Sequence, residues 1–220
     1  MHPPRRYALV VFDWDGTLAD STALIADAIR NACRDMDQPV PEMGVARHVI
    51  GLGFTSAVAY VAPALDVAAY PAFAAAYRKY YVAGESRVVL FDGARELLQD
   101  LDAAGYRLGV ATGKSRAGLE HALEHCGLQG VFHATRCADE GHPKPNPDML
   151  FNLMRFLGVE PDRTLMVGDT SHDLELARNA GTDSVAVTYG AHPSAALAAL
   201  TPRALVDSVD GLRAWLADNA

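Results

Sequence analysis

The sequence VVFDWDGTLADS at residues 10–21 decides the fold. An apolar run over residues 8–12 stops at Asp13, and a second carboxylate, Asp15, follows two residues later. A short apolar run of this kind is typical of a strand that is buried on both faces. Two carboxylates at its end repel each other and lose hydration when they are buried, so their position needs a chemical reason.

Short apolar runs recur along the chain and predict further strands at residues 107–111, 164–167, 184–188 and, more weakly, 204–206. Segments with helical spacing lie between several of these runs. Gly105, Gly158 and Gly181 stand where helices commonly end, and the pair Asn146-Pro147 predicts the start of another helix. This alternation predicts an α/β fold whose core is a Rossmann-like, doubly wound parallel sheet.

Residues 19–86 interrupt the alternation, because they contain no clear strand pattern. This segment is rich in alanine, and its prolines divide it into several helices: Pro39, Pro41, Pro63 and Pro71. We predict a helical cap domain at 19–86, inserted into a catalytic core made of 1–18 and 87–220. The alternative is an additional helical layer on a single core.

Composition narrows the class of protein. The 220 residues carry 27 acidic and 19 basic side chains, a formal net charge of −8, with no basic stripe, which argues against a nucleic-acid partner. No apolar run is long enough for a membrane span, and the run at 7–12 is too short for a secretory signal. Three cysteines without metal-site spacing are typical of reduced thiols. We expect a cytoplasmic protein that is a monomer or homodimer.

Polar residues gather where the predicted strands end, which is where doubly wound sheets bind ligands. Thr112 and Gly113 follow the second predicted strand, and Asp169 follows the third, with Asp173 four residues later. Lys144 lies between two prolines in the loop GHPKPNP. Together with Asp13 and Asp15 these side chains form a set of carboxylates, one hydroxyl and one amine.

This set suits a divalent cation and a phosphate. Carboxylate oxygens are ligands that Mg²⁺ prefers, and the cation would offset their mutual repulsion. The hydroxyl of Thr112 and the N–H of Gly113 suit phosphate oxygens next to a helix N-terminus. Lys144 would add a compact positive charge.

Four segments, in chain order, resemble the motifs of the haloacid dehalogenase-like hydrolase superfamily: DWDGT, VATGK, PKPNPDM and VGDTSHDLELARNAG. The resemblance is closest to the phosphoglycolate phosphatase-like branch and extends over essentially the whole chain, although the cap matches by architecture only. It implies a Mg²⁺-dependent phosphatase that hydrolyses a small phosphorylated metabolite, phosphoglycolate-like, through a phosphoaspartyl intermediate.

The resemblance also implies a role for each matching residue. Asp13 would be the nucleophile, and Asp15 would protonate the leaving oxygen and then activate water. Mg²⁺ would be bound by Asp13, by the backbone carbonyl of Asp15 and by Asp169, while Asp173 would orient metal-bound waters or the lysine. The phosphate would be held by Thr112, Gly113 and Lys144.

Other functions compete with this interpretation. A sugar phosphomutase would use the same aspartyl nucleophile, and a phosphate-binding module would hold the ligand without turnover, although such a module has no need of Asp15. The segment GVATGKS resembles a nucleotide-binding phosphate loop, but only three residues separate Gly109 from Gly113 where that motif has four.

Several residues receive weaker predictions. Lys114 is expected in solvent or near the cap, with substrate contact as the lesser alternative. Arg47 and His48, in the cap segment RHVIGLGFTSAV, are weak candidates for reading the far end of a substrate. His172 is expected to be exposed on its loop, and the histidines as a group show no metal-ligand spacing.

Overall fold

Six parallel strands form one sheet in the order β3-β2-β1-β4-β5-β6. The computed structural model describes residues 6–220, and the first five residues lie outside the described part of the chain. The strands are β1 Leu9–Phe12, β2 Arg107–Thr112, β3 Ala134–Cys137, β4 Thr164–Gly168, β5 Asp183–Val187 and β6 Ala204–Val206. The predicted α/β fold with a doubly wound parallel sheet is confirmed.

Ten α-helices accompany the sheet within residues 6–220. They are α1 Thr22–Asp35, α2 Met43–His48, α3 Phe54–Val61, α4 Tyr70–Gly84, α5 Ala94–Ala103, α6 Arg116–His125, α7 Asp148–Leu157, α8 Ser171–Ala180, α9 Ser194–Ala198 and α10 Val209–Asn219. Short 3₁₀ helices cover Val67–Ala69, Glu85–Arg87 and Pro161–Arg163. None of the described helices is both long enough and apolar enough to cross a bilayer.

The central strand β1 is buried along its whole length, which explains its uninterrupted apolar sequence. Its side chains alternate between the two faces of the sheet. Val10 and Phe12 join the apolar cluster that includes Leu97 of α5, whereas Leu9 and Val11 join the cluster that includes Leu153 of α7. Helices therefore cover both faces, as a parallel sheet requires.

The register of β1 determines which strand ends meet. Phe12 pairs with Val110 of β2 on one side and with Val167 of β4 on the other. The backbone N–H of Asp13 continues the ladder and donates a hydrogen bond to the Val167 carbonyl at 2.9 Å. The carboxyl ends of β1, β2 and β4 consequently lie side by side at one edge of the sheet.

The structure corrects two details of the predicted elements. Strand β3, with the sequence ATRC, was missed because it is an edge strand that pairs only with β2 and carries partly exposed polar residues at its centre. Helix α7 begins after Pro147, so Asn146 is not its N-cap. The Asn146 side chain instead accepts a hydrogen bond from the N–H of Asp148 at 3.0 Å.

Helices α1–α4 occupy the interval between β1 and α5, and they pack around an apolar cluster that includes Ile25, Val58 and Phe73, which Ala191 of the core also joins. The two connections to the rest of the chain run together, because the N–H of Asp20 donates to the Val89 carbonyl at 2.9 Å. This packing supports the prediction of a separate cap at 19–86, and the domain boundary itself stays a prediction.

Candidate active site

Three carboxylates converge at the edge where β1 and β4 end. Asp13 follows β1, Asp169 follows β4, and Asp173 lies in the first turn of α8. One oxygen from each lies within 4.8 Å of the others. All three side chains are buried, with Asp13 only 1% exposed and both others fully covered. The structure therefore brings together three of the residues that the sequence analysis singled out.

Hydrogen bonds hold two of these acids in place. Asp169 accepts from the Thr17 hydroxyl at 2.8 Å and from the N–H of Ala191 at 2.7 Å. Asp173 accepts from both the N–H and the hydroxyl of Thr170, at 3.1 and 2.7 Å, in a capping box at the start of α8. The N-terminus of a helix favours a carboxylate at this position.

Glycine backbone packs directly against Asp169. Gly16 has a positive φ of 85°, and a Cβ built on it would lie 2.2 Å from Asp169 Oδ2. A Cβ on Gly190 would also lie 2.2 Å from that oxygen. Both positions require glycine for steric reasons. Gly190 and Ala191 were missed by the sequence analysis, since they lie outside the motif that contains Asp169 and carry no side chain of chemical interest.

Lys144 supplies the positive charge of the cluster. Its Nζ lies 2.8 Å from Asp13 Oδ1 and 2.6 Å from Asp173 Oδ1, and its side chain is fully buried. Burial alone would lower the pKa of Lys144, but the two carboxylates outweigh that effect and raise it. The lysine is therefore charged at neutral pH.

The acids as a group fit a divalent cation. Burial raises the pKa of Asp13 above its ordinary value, and Lys144 opposes the shift. Burial and the nearby Asp13 also raise the pKa of Asp169. Asp13 Oδ2 is buried and has no hydrogen-bond partner among residues 6–220. Three carboxylates facing one ammonium leave uncompensated negative charge, and a bare carboxylate oxygen is available to a hard metal ion.

Asp15 is not one of these three carboxylates, and it has different partners. It accepts a hydrogen bond from the Ser21 hydroxyl at 2.6 Å and forms an ion pair of 3.1 Å with Lys114. Lys114 is not in solvent: its side chain is 10% exposed, and its Nζ lies 3.1 Å from the hydroxyl of Tyr81 on α4. Of the two locations expected for Lys114, the one near the cap is therefore correct, because α4 lies within 19–86.

Thr112 and Gly113 stand where β2 ends. Thr112 is fully buried, and its hydroxyl oxygen accepts a hydrogen bond from the N–H of Lys114 at 3.2 Å. Gly113 touches the backbone of residues 51–52, since a Cβ on it would lie 2.7 Å from the Gly51 carbonyl oxygen. The segment predicted to hold the substrate phosphate is thus next to a loop of the inserted helices.

The structure corrects the expectation for His172, which is buried and not exposed. Its Nε2 lies 2.8 Å from the backbone oxygen of His48, and Nε2 of His192 lies 3.0 Å from the same oxygen. A carbonyl only accepts, so both nitrogens carry hydrogen. Since Nδ1 of His192 accepts from the N–H of Ser171 at 3.0 Å, His192 is a neutral imidazole.

These histidines attach the inserted helices to the core, because His48 ends α2 while His172 and His192 belong to the core. Their nitrogens can approach within 4.8 Å of one another, but both nitrogens of His192 already form hydrogen bonds. Burial, assisted by His172, lowers the pKa of His192 to about 4. Arg47, the other weak candidate for substrate contact, has a buried Nε without a hydrogen-bond partner.

Comparison with known proteins agrees with the motifs. The model of the family described as haloacid dehalogenase-like hydrolase matches residues 10–187. "Probable phosphatase IndB" of Dickeya dadantii is 37% identical over 206 residues, which cover 91% of this chain and 89% of that protein. A "Phosphoglycolate phosphatase" of Rhodospirillum rubrum is 36% identical and covers 94% of this chain and 90% of its own length.

Solved structures share the fold. The crystal structure described as a predicted phosphatase from Clostridium acetobutylicum has a TM-score of 0.84 and 26% sequence identity, and the match covers 96% of this chain and 99% of that one. The predicted resemblance to the phosphoglycolate phosphatase-like branch is confirmed. The chain belongs to the haloacid dehalogenase-like hydrolase family, among the members that act as phosphatases.

Proposed function

We propose that the protein is a Mg²⁺-dependent phosphatase that hydrolyses a small, phosphoglycolate-like phosphomonoester through a phosphoaspartyl intermediate. The observation that carries this proposal is the buried carboxylate of Asp13. One of its oxygens lies 2.8 Å from Lys144 Nζ, and the other has no hydrogen-bond partner in the described part of the chain. A carboxylate of this kind, beside a fixed cation, is suited to act as a nucleophile towards a phosphate dianion.

The residues that would hold Mg²⁺ are Asp13, Asp169 and the backbone carbonyl of Asp15. When bound, the cation would neutralise the phosphoryl oxygens and reduce the repulsion between the phosphate and the acids. Asp173 has a different task, because both of its oxygens already form hydrogen bonds to Lys144 and Thr170. It would position the lysine.

In the first step, a carboxylate oxygen of Asp13 attacks phosphorus and the bond between phosphorus and the ester oxygen breaks. Asp15 gives its proton to that oxygen, so that the product leaves as a neutral alcohol. Thr112, the Gly113 N–H and Lys144 hold the phosphoryl oxygens during transfer. Ser21 and Lys114, which contact Asp15, orient its carboxyl group.

In the second step, Asp15 takes a proton from water, and the water oxygen attacks phosphorus of the phosphoaspartate. The acyl phosphate bond breaks, inorganic phosphate leaves, and both Asp13 and the proton on Asp15 are restored. The sequence of steps needs no further reactant. It also explains why two acids stand two residues apart on one strand end, since each performs a separate task.

The helices at 19–86 would act as a lid. Asp13 is 1% exposed, so a phosphomonoester reaches it only after covering residues move. The contacts available to break are those between Gly113 and Gly51 and those of His172 and His192 with the His48 carbonyl. Closure would exclude bulk water and favour the bound substrate.

Cellular context is part of the same proposal. Cys33, Cys126 and Cys137 are free and buried, which supports a reducing compartment such as the cytoplasm. The charge of −8 makes a nucleic-acid partner unfavourable, and a small phosphorylated metabolite is the partner that the site suits.

Phosphate release from a panel of phosphomonoesters, with and without Mg²⁺, tests the proposal. We expect turnover that requires the metal and that is abolished in Asp13→Asn. Turnover that survives this substitution would refute Asp13 as the nucleophile. Isomerisation of sugar phosphates without free phosphate would identify a mutase instead, and tight phosphate binding without turnover would identify a binding module.

A further inference from the structure

Lys114 is a second, largely buried cation near the site, and its one role in the steps above is to orient the carboxyl group of Asp15. Lys144 already contacts Asp13 and Asp173, whereas Lys114 contacts Asp15 at 3.1 Å. Removing an ammonium group from water costs several kcal/mol unless its partners compensate. Asp15 supplies part of this compensation for Lys114, and an anionic ligand would supply more.

The surroundings of Lys114 come from both parts of the chain. Its Nζ lies 3.1 Å from the Tyr81 hydroxyl and 4.9 Å from the centre of the Tyr81 ring. Tyr77 stacks on Tyr81 with ring centres 5.8 Å apart, so α4 presents an aromatic wall. Nζ forms an ion pair with Asp15 and donates a hydrogen bond to Tyr81, and within residues 6–220 it has no other hydrogen bond or ion pair, which leaves an N–H of the ammonium group for a ligand.

The position of Asp15 places Lys114 on the leaving-group side of the substrate. Under the proposed function, the carboxyl of Asp15 lies about 3 Å from the ester oxygen that it protonates. Lys114 Nζ lies 3.1 Å from that carboxyl, so the first atoms beyond the ester oxygen come within reach of the ammonium group.

We infer that Lys114, assisted by the Tyr81 hydroxyl, binds an anionic group on the leaving-alcohol portion of the substrate. The substrate class is then a short phosphomonoester with a second negative charge, such as a carboxylate, one or two bonds beyond the ester carbon. This inference rests on the proposed function, and it makes Lys114 a determinant of specificity. Tyr81 reaches the same group from the inserted helices, so binding of the anion would also favour their closed position.

Two ligands of equal length distinguish binding of the second anionic group from a general effect on binding of phosphate esters. 2-Phosphoglycolate carries a carboxylate where ethyl phosphate carries a methyl group. Binding is measured by calorimetry with Mg²⁺ in the Asp13→Asn background, which removes turnover. We expect Lys114→Met to weaken 2-phosphoglycolate binding about 10- to 100-fold and ethyl phosphate binding less than about 3-fold, as the loss of a charged hydrogen bond predicts.

Tyr81→Phe provides a second variant that keeps the buried charge pair intact, and we expect a smaller loss with the same selectivity. Lys79→Met, on the same helix α4 but exposed and paired with Asp35, is the matched control and should change neither affinity. Equal losses for both probes, or no loss for either, in both Lys114→Met and Tyr81→Phe would overturn the inference.

Turnover by the unsubstituted protein tests the proposed function separately. If it releases phosphate from both esters but the variants show no selectivity for the carboxylate, only the inference about Lys114 fails. If it releases phosphate from no ester of the panel while selective binding is lost in Lys114→Met, the phosphatase proposal fails and the anion site stands.

Discussion

Lys144 Nζ lies 2.6 Å from Asp173 Oδ1, and both side chains are shielded from solvent. The other oxygen of Asp173 is held by the Thr170 N–H and hydroxyl, so the carboxylate cannot turn away. The lysine is thereby directed at Asp13, 2.8 Å away. Thr170, Asp173 and Lys144 thus form a series of contacts that connects the first turn of α8 to the proposed nucleophile.

Replacing Lys144 with methionine tests this arrangement. We expect turnover to fall at least about 10³-fold, and the free energy of unfolding to fall by about 3–5 kcal/mol, because buried carboxylates lose their cation. Urea denaturation should show Mg²⁺ restoring part of the stability, since it supplies charge to the same acids. The exposed Lys79→Met is the control, and equal stability of the two variants would contradict the prediction.

Metal binding should be visible without activity. We expect Mg²⁺ at about 100 times its dissociation constant to stabilise the folded protein by about 2.7 kcal/mol, because the unfolded chain has no such site. Asp169→Asn should remove most of this gain in thermal denaturation, whereas Asp162→Asn, at an exposed position, should keep it. A gain that persists in Asp169→Asn would exclude that residue as a ligand.

Gly190→Ala tests the packing behind Asp169. The added methyl group would lie 2.2 Å from Asp169 Oδ2, so the carboxylate must shift. We expect Mg²⁺ affinity, measured by calorimetry, to fall about 10-fold, in the range seen when groups behind a metal ligand are disturbed. Gly44→Ala, with nothing within 4 Å of the new atom, serves as the control. Unchanged affinity in Gly190→Ala would show that the site can relax.

Stability should depend on pH through His192. Its pKa of about 4 lies below the ordinary value of 6.5, so between these values the unfolded chain binds a proton that the folded protein does not. The contribution of His192 is therefore complete above pH 6.5 and is lost as pH falls towards 4. Its neighbours in this region are His48, His172 and Asp173, and burial also lowers the pKa of His172.

Comparison with His192→Gln isolates this contribution, because the other titrating groups are common to both proteins. We expect unfolding free energies, measured by urea denaturation between pH 7 and 5.5 with Mg²⁺ present, to fall more steeply in the wild type. The difference approaches about 1.4 kcal/mol per pH unit when one proton is involved. Parallel pH profiles would show that the imidazole is not buried in the neutral form.

Some features could not be predicted from the sequence because their signal is not local. Strand β3 is held by its pairing with β2 and has no apolar run of its own. His48, His172 and His192 meet although their spacing follows no ligand motif. Lys114 was expected in solvent or near the cap, and only the contacts of its ammonium group with Asp15 and with Tyr81 of α4 show which groups surround its charge.

The sequence by itself determined the parallel α/β core, the family and the set of polar residues at the strand ends. Apolar periodicity indicates which segments are buried. Short motifs have a recognisable spacing because each lies on one strand end or in one loop. Tertiary structure alone decided which charges pair, with Lys144 on Asp13 and Asp173 and Lys114 on Asp15. Distances across separate elements depend on register and packing, which no single segment encodes. The two acids of VVFDWDGTLADS thus receive different partners.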